Sequence, residues 1–114
     1  MSPAQAGEGF TREDRYAGYH VVDRTDDKVG TVEALFLDKD NGRELVEVER
    51  GLLGRALGTG AILIPMEICT VDNDERIIRV SADKDALKHS PALDAAADVV
   101  TRGHEAVVRA RFGL

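Results

Sequence analysis

A group of carboxylates between residues 38 and 49 has the side-chain types that bind calcium. The group has these members: Asp38, Asp40, Glu44, Glu47 and Glu49. A calcium-binding EF-hand loop needs oxygen ligands at alternate positions of its first half, then a glycine, and a glutamate at its last position. Counted from Asp38, the fifth position holds Gly42 where a ligand is needed, and the sixth holds Arg43 where the glycine is needed. We therefore predict no metal site in this group.

The same residues fit a β-hairpin. Asn41-Gly42 is a dipeptide strongly preferred in two-residue hairpin turns. After the turn, Val46 and Val48 alternate with Glu47 and Glu49, as in a strand with one buried face. We predict two strands folded back at Asn41-Gly42, with Asp38 and Asp40 capping the turn through side-chain hydrogen bonds.

The other residues that could carry chemistry are scattered. His20, His89 and His104 lie far apart, and Cys69 is the one cysteine that could join them as a metal ligand. Metal-binding histidines are usually paired at short spacing, and that pairing is missing. Ser90 follows His89, but sequence neighbours rarely have the geometry of a nucleophile and its base. We expect no catalytic residue, no metal and no cofactor, and therefore a protein that is not an enzyme.

A glycine-rich segment, residues 51–60 ("GLLGRALGTG"), has some likeness to a phosphate-binding loop. It has no lysine, which a P-loop needs, and the glycines after position 57 do not make a dinucleotide fingerprint. Its leucines are too apolar for an ordinary exposed loop, so they either fold onto the domain or contact a partner. We predict them as part of a protein-interaction surface: Leu52, Leu53 and Leu57.

The elements that position these residues are predominantly strands. Short apolar stretches separated by turn residues predict six short strands between positions 19 and 82, which is typical of a small barrel or sandwich. Asp83 then caps a helical turn that Pro91 ends. Residues 1–13 are small and polar and predict a flexible leader.

The last part of the chain differs in composition. Residues 93–114 are rich in alanine and arginine, which predicts one helix, or two short helices joined at Gly103. The apolar stripe of this helical tail must pack on the barrel or on another chain. We predict three of its residues as interaction residues: Val107, Val108 and Phe112.

Charge and hydropathy exclude some functions. The net charge is −6 and the pI is about 5.0, whereas nucleic-acid binding depends on a surplus of lysine and arginine. We expect no general DNA or RNA binding. There is no secretory signal and no apolar run long enough to span a membrane, so we expect a cytoplasmic protein without a transmembrane segment.

The order of these features resembles the PRC-barrel domain, the family of the photosynthetic reaction-centre H subunit and of the C-terminal barrel of a ribosome-maturation factor. The resemblance covers residues 19–92, from "VVDRTDDKVGTVEALFLDKDNG" to "DKDALKHSP". It rests on these residues: Val29, Gly30, Val32, Asp38, Gly42, Ile64, Pro65, Leu87, Ser90 and Pro91. We expect the chain to differ from both relatives, since the sequence predicts neither a transmembrane helix nor the second domain of the maturation factor.

The resemblance implies a mainly β fold, a small six-stranded PRC-type β-barrel with a C-terminal helical extension. We predict a leader at 1–13, the barrel at 14–92 and the tail at 93–114. The family implies a binding and assembly module, and we expect self-association as a homodimer together with an unknown protein partner. An alternative is an accessory factor in ribosome assembly or RNA processing that docks on a basic ribosomal protein. A hydrolase or ligand-binding barrel is a third hypothesis, but a barrel this small should be filled by its own side chains.

Overall fold

The computed structural model describes residues 5–49, 61–88 and 99–114. The predicted interaction residues Leu52, Leu53 and Leu57 lie outside the described residues, as do Ser90 and Pro91 of the family pattern. The strands are β1 (Gln5–Ala6), β2 (Phe10–Glu13), β3 (His20–Val22), β4 (Lys28–Asp38), β5 (Glu44–Glu49), β6 (Ala61–Pro65), β7 (Cys69–Asp72), β8 (Ile77–Val80) and β9 (Val99–Val100). The helices are a 3₁₀ turn (Met66–Ile68), α1 (Lys84–Lys88) and α2 (Arg102–Arg111).

Seven of the strands form one sheet in the order β6-β5-β4-β3-β8-β7, with β2 paired to the second half of β4. All neighbours are antiparallel except β3 and β8, which are parallel. The predicted hairpin is confirmed: β4 and β5 pair around a turn in which Gly42 has a φ of 74°, a left-handed conformation that glycine adopts without strain. The fold is mainly β with a C-terminal helix, and the open sheet is compatible with a PRC-type barrel.

The longest strand, β4, changes the face it presents at a β-bulge. Val32 pairs with Val48, but the next pair is Ala34 with Glu47, so Glu33 is the extra residue. Before the bulge Val32 points into the barrel, and after it Ala34 points outward. The bulge therefore reverses the alternation of β4, so that Val32 before it and Leu35 after it both belong to the interior cluster, the first of two apolar clusters on opposite faces of the sheet.

The first cluster, the interior cluster, fills the curved sheet. Its buried members are Val21, Val32, Leu35, Val46, Val48, Ile62, Ile64, Ile78, Val80 and Leu87. The second, the outer cluster, lies on the opposite face of β4, β5 and β6. Its buried members are Phe10, Ala34, Phe36, Leu45, Leu63, Val100 and Val108. Each cluster takes alternate residues of the same strands, which is why these strands are apolar on both faces.

The first and last described segments differ from the sequence expectation. Residues 10–13 of the predicted flexible leader form β2, and Gln5–Ala6 pair with Val99–Val100 as two parallel strands. The backbone N–H of Gly7 continues this pairing by donating to the carbonyl of Val100 at 2.8 Å. Within residues 99–114, the described part of the predicted helical tail, a two-residue strand precedes helix α2, and Gly103 lies inside the first turn of that helix.

In the part of the chain that the structure describes, none of the helices has the length and apolar character to cross a membrane.

Candidate functional site

The C-terminal segment, residues 99–114, packs on the outer face of the sheet of its own chain. Val100 and Val108 are buried in the outer cluster, and Phe112 packs partly buried against both clusters. This answers the question left open by the sequence, which allowed the tail to pack on the barrel or on another chain. Val108 is 2% exposed and is therefore not available to a partner in this fold, whereas Val107 is 57% exposed.

Helix α2 has well-defined ends. Thr101 is its N-cap, and the Thr101 Oγ1 accepts a hydrogen bond from the backbone N–H of His104 at 3.3 Å. Arg109 and Arg111 lie in the last turn, where positive charge is favourable because of the helix dipole. Thr101 and the two arginines thus stabilise the ends of α2. Other contacts determine where the helix lies on the sheet.

The first of these contacts joins Arg102 to the β4–β5 turn. Arg102 Nε donates to Asp38 Oδ2 and Arg102 Nη2 to Asp38 Oδ1, both at 3.1 Å, and Arg102 also pairs with Asp40. Asp38 Oδ1 accepts a further bond from the backbone N–H of Asp40 at 2.9 Å. The Arg102 guanidinium, with this backbone bond, lowers the pKa of Asp38 to about 2. The side chain of Asp38 is fully buried and that of Arg102 is half-exposed, so the pair joins a buried carboxylate to an arginine at the surface.

The predicted role of Asp38 as a turn cap is confirmed, but Asp40 binds Arg102 instead of capping the turn. Sequence reasoning missed Arg102 because it is separated from Asp38 by 64 positions. The one available signal was an aspartate directly after a strand of apolar residues, since a carboxylate buried there needs a cationic partner.

Gly9 makes room for the Arg102 side chain. Its φ is 89°, and a Cβ at this position would lie 2.6 Å from Arg102 Nη2. The Gly9 carbonyl accepts a hydrogen bond from the Lys39 backbone N–H at 2.9 Å. The N-terminal strands, the hairpin turn and helix α2 therefore meet at one point.

A second ion pair holds the other end of α2. Arg109 pairs with Glu67 of the 3₁₀ turn, and the Arg109 side chain is largely buried while that of Glu67 is partly exposed. The Arg109 guanidinium lowers the pKa of Glu67. Because Arg102 and Arg109 are seven residues apart, the helix is held to the barrel near both of its ends.

Between these anchors, Glu105 points toward the sheet and is 5% exposed. Its Oε2 atom is buried and has no hydrogen-bond partner. Burial raises the pKa of Glu105, and the negative charge of Asp38 raises it further, while Arg109, Arg43 and Arg102 act in the opposite direction. A buried carboxyl group in these surroundings is more easily kept neutral than charged.

The outward face of α2 is built mainly from small side chains, with one valine and one arginine among them. Its exposed members are Gly103, Ala106, Val107, Ala110 and Arg111, and Leu114 is exposed just after the helix. They recur at helical spacing and so lie on one side of the helix. Their small size would let another backbone come close to α2.

Other candidate sites do not combine into chemistry. Burial raises the pKa of Cys69 to about 12, and its thiol donates to the Pro65 carbonyl at 3.5 Å, so it is not a reactive thiolate. Among residues 5–49, 61–88 and 99–114, no three histidine, cysteine or acidic side chains are grouped as metal ligands would be. A shallow groove of about 380 Å³ lies between Asn41–Glu44 and Met66–Glu67 and is open to solvent.

Tyr16 and Tyr19 form an aromatic pair at 5.4 Å, with the guanidinium groups of Arg15 and Arg76 over their rings at 5.9 and 5.5 Å. The Tyr19 hydroxyl donates to Asn73 Oδ1 at 2.9 Å. These contacts tie the β2–β3 connection to the β7–β8 turn, and both rings pack against the interior cluster. The aromatic pair is therefore part of the packing of this side of the barrel.

The fold and its docked helix define a class of protein: a small β domain that surrounds its own apolar interior and carries a helix on its outer surface. Residues 13–87 match the family model of the PRC-barrel domain, and the chain belongs to this family, as its sequence pattern predicted. Domains of this family are small β domains that commonly take part in protein–protein interaction. No curated protein matches the chain.

Proposed function

We propose that this PRC-barrel protein is a non-enzymatic binding and assembly module of the cytoplasm that associates with itself as a homodimer through the outward face of α2. The observation that carries the proposal is Val107, which is 57% exposed at the centre of a face of small residues. Its neighbour Val108 is buried in the outer cluster, so the two valines that the sequence grouped together have separate roles.

The ion pairs of α2 support this proposal. A surface that is already ordered loses little conformational freedom when it binds, and this improves affinity. Arg102 and Arg109 hold the helix on the barrel, so its outward face is presented in a fixed orientation. Two copies of the face would meet around a two-fold axis, the commonest symmetry of homo-oligomers.

The expected dimer is weak. A helix of ten residues is about 15 Å long, and a single pair of such helices buries less than the roughly 1,200–2,000 Å² of a stable interface. Small side chains allow the helix axes to approach closely, which partly compensates for the limited area. We therefore expect association that depends on protein concentration.

The experiment compares Val107→Asp with Val99→Asp as a matched control, since Val99 is also exposed but lies in β9 rather than on the outward face of α2. Sedimentation velocity over a wide concentration range should show the parent and Val99→Asp shifting toward twice the monomer mass. The Val107→Asp variant should stay monomeric because a charge would be buried in the contact. A Val107→Asp variant with the same concentration dependence as the parent would contradict the proposal.

An alternative partner is a basic protein of the ribosome. The net charge of −6 favours it, because complementary charge speeds encounter and improves specificity. Co-sedimentation with ribosomes that is lost at high salt supports this alternative. A pull-down from nuclease-treated extract would compare the parent with a Leu52→Asp/Leu53→Asp variant. Loss of a captured ribosomal protein in the variant would assign its docking to the glycine-rich segment.

A further inference from the structure

Three buried carboxyls, Asp38, Glu47 and Glu105, lie on the outer side of the sheet. Asp38 and Glu105, which are linked most directly to α2, are in opposite surroundings. Asp38 is ionised and its oxygens accept hydrogen bonds from Arg102 and from the backbone. Glu105 is nearly as deeply buried, but its Oε2 accepts no hydrogen bond. Burying a charged carboxylate without hydrogen bonds is costly, so the two groups respond differently when α2 docks.

The charged groups around Glu105 come from three parts of the fold. Asp38 of β4 adds a negative charge, Arg43 of the β4–β5 turn a positive one, and α2 itself contributes Arg102 and Arg109. Both helix arginines are already engaged, Arg102 by Asp38 and Asp40 and Arg109 by Glu67. The strand on which α2 packs most closely, β6, consists of uncharged residues.

We propose that docking of α2 on the sheet is linked to proton uptake by Glu105, which makes the C-terminal segment a pH-sensitive cover of the outer cluster. When α2 is docked, the Glu105 carboxyl is out of water with one oxygen unsatisfied. When α2 is detached, the same carboxyl is hydrated and loses its proton easily. Deprotonation therefore favours the detached helix.

The direction of the pH dependence follows from the pKa of Glu105, which burial raises in the docked state. The contribution of Glu105 to the free energy of docking is fully present below the ordinary glutamate pKa. It is lost as the pH rises through the raised pKa of Glu105 in the docked state. Asp38 acts in the opposite direction, because its pKa is lowered to about 2 and its contribution is lost only in strong acid. Docking of α2 is therefore favoured in a window between these two titrations.

Detachment of α2 would uncover apolar side chains on the sheet, among them Phe36, Leu45 and Leu63. The pH-linked step concerns one chain only. This step can be measured on the monomer, so the result does not depend on whether the proposed dimer forms.

The experiment measures amide hydrogen exchange of α2 by mass spectrometry from mildly acidic to mildly alkaline pH, corrected for the intrinsic exchange rate. In the parent, protection of α2 should fall with rising pH while protection of β4 and β5 stays constant. A difference of one between the docked and detached pKa of a carboxyl corresponds to about a tenfold change in the docking equilibrium. In Glu105→Gln the protection should be higher at alkaline pH and should fall less with rising pH than in the parent.

The matched control is Glu75→Gln, which removes one exposed carboxylate from the β7–β8 turn and should keep the profile of the parent. A second measurement uses the unmodified protein: a ¹³C NMR titration of the glutamate carboxyls should show one glutamate at the buried position with a pKa above that of an exposed glutamate. The proposal is overturned if Glu105→Gln keeps the pH profile of the parent, or if Glu105 titrates at the ordinary glutamate pKa.

Discussion

The interior cluster and the outer cluster share three strands but are shielded from solvent in different ways. The interior cluster is apolar throughout and is surrounded by the sheet itself, with Leu87 of α1 beneath it. The outer cluster needs segments distant in sequence, Phe10 from β2 and Val100 and Val108 from the C-terminal segment. It also borders the buried carboxyls of Asp38 and Glu105. Apolar packing alone defines the first cluster, whereas closure of the second depends on charges that change with conditions.

The largest expected effects come from two neighbours on β6 that face opposite clusters, Ile64 inward and Leu63 outward. Each change to alanine should lower the free energy of unfolding by about 2–5 kcal/mol. Hydrogen exchange should separate them. Ile64→Ala should raise exchange in all strands, and Leu63→Ala should raise it first in α2. Equal effects of both variants on α2 would show that the two clusters unfold as one unit.

A substitution at Gly30 tests how tightly β4 and β5 pack against each other. A Cβ at this position would overlap the backbone carbonyl oxygen of Glu49 and lie 3.0 Å from Val48 Cγ1. Gly30→Ala should therefore lower the free energy of unfolding by about 1–3 kcal/mol through overpacking. Chemical denaturation measures the change, with Gly42→Ala as a comparison, because a Cβ there meets open space and only the φ of 74° is strained. A Gly30→Ala variant as stable as the parent would mean that the two strands can separate locally without loss.

Lowering the pH should detach α2 and expose the outer cluster before the interior cluster unfolds. The contribution of Asp38 is complete above its ordinary pKa of 3.8 and is lost as the pH falls toward about 2. Asp38→Asn should lower the melting temperature at neutral pH and flatten the melting profile in this range. Melting curves followed by circular dichroism between pH 2 and 5 would test this. An unchanged acid dependence in Asp38→Asn would assign it to other carboxylates, of which Asp23 is the first candidate because hydrogen bonds from Thr25 lower its pKa.

The smallest effect is expected at the Arg109–Glu67 pair. The Glu67 side chain is partly exposed, and ion pairs at such positions contribute about 0–1 kcal/mol. Glu67→Gln should therefore lower the free energy of unfolding by less than about 1 kcal/mol, and added salt should reduce the difference further. Denaturation of both proteins at low and high salt measures it. A larger, salt-independent loss would show that this pair contributes more than an ordinary partly exposed ion pair does.

Local sequence signals predicted the parts of the fold whose partners are close along the chain. The Asn41-Gly42 turn defined the central hairpin, and Asp83 caps α1 as expected, accepting from the Ala86 backbone N–H at 3.0 Å. Such signals act over a few residues, so a single sequence is enough to recognise them.

The contacts around the outer cluster could not be predicted in the same way. The pairing of β1 with β9 involves two-residue strands, which have no periodicity to detect. The partner of Asp38 is an arginine from the other end of the described chain, and nothing near either residue indicates the other. Glu47 was expected on a polar face, but it is buried on the outer face of β5, between Ala34 of β4 and Leu63 of β6. The first two misses share one cause, which is that the partner segment is remote in sequence.

The pairing of Gln5 with Val99 also has a consequence for the time course of synthesis. A ribosome adds about 5–20 residues each second, so β1 waits roughly 5–20 s before its partner has been made. In the second half of that interval, after Glu49 has been added, the sequence of the β4–β5 hairpin is complete, but the side chains of Phe36 and Leu45 lack the segment that will cover them. The nascent chain therefore exposes these apolar side chains for a limited time. A chaperone that binds apolar strands would bind the chain during this period.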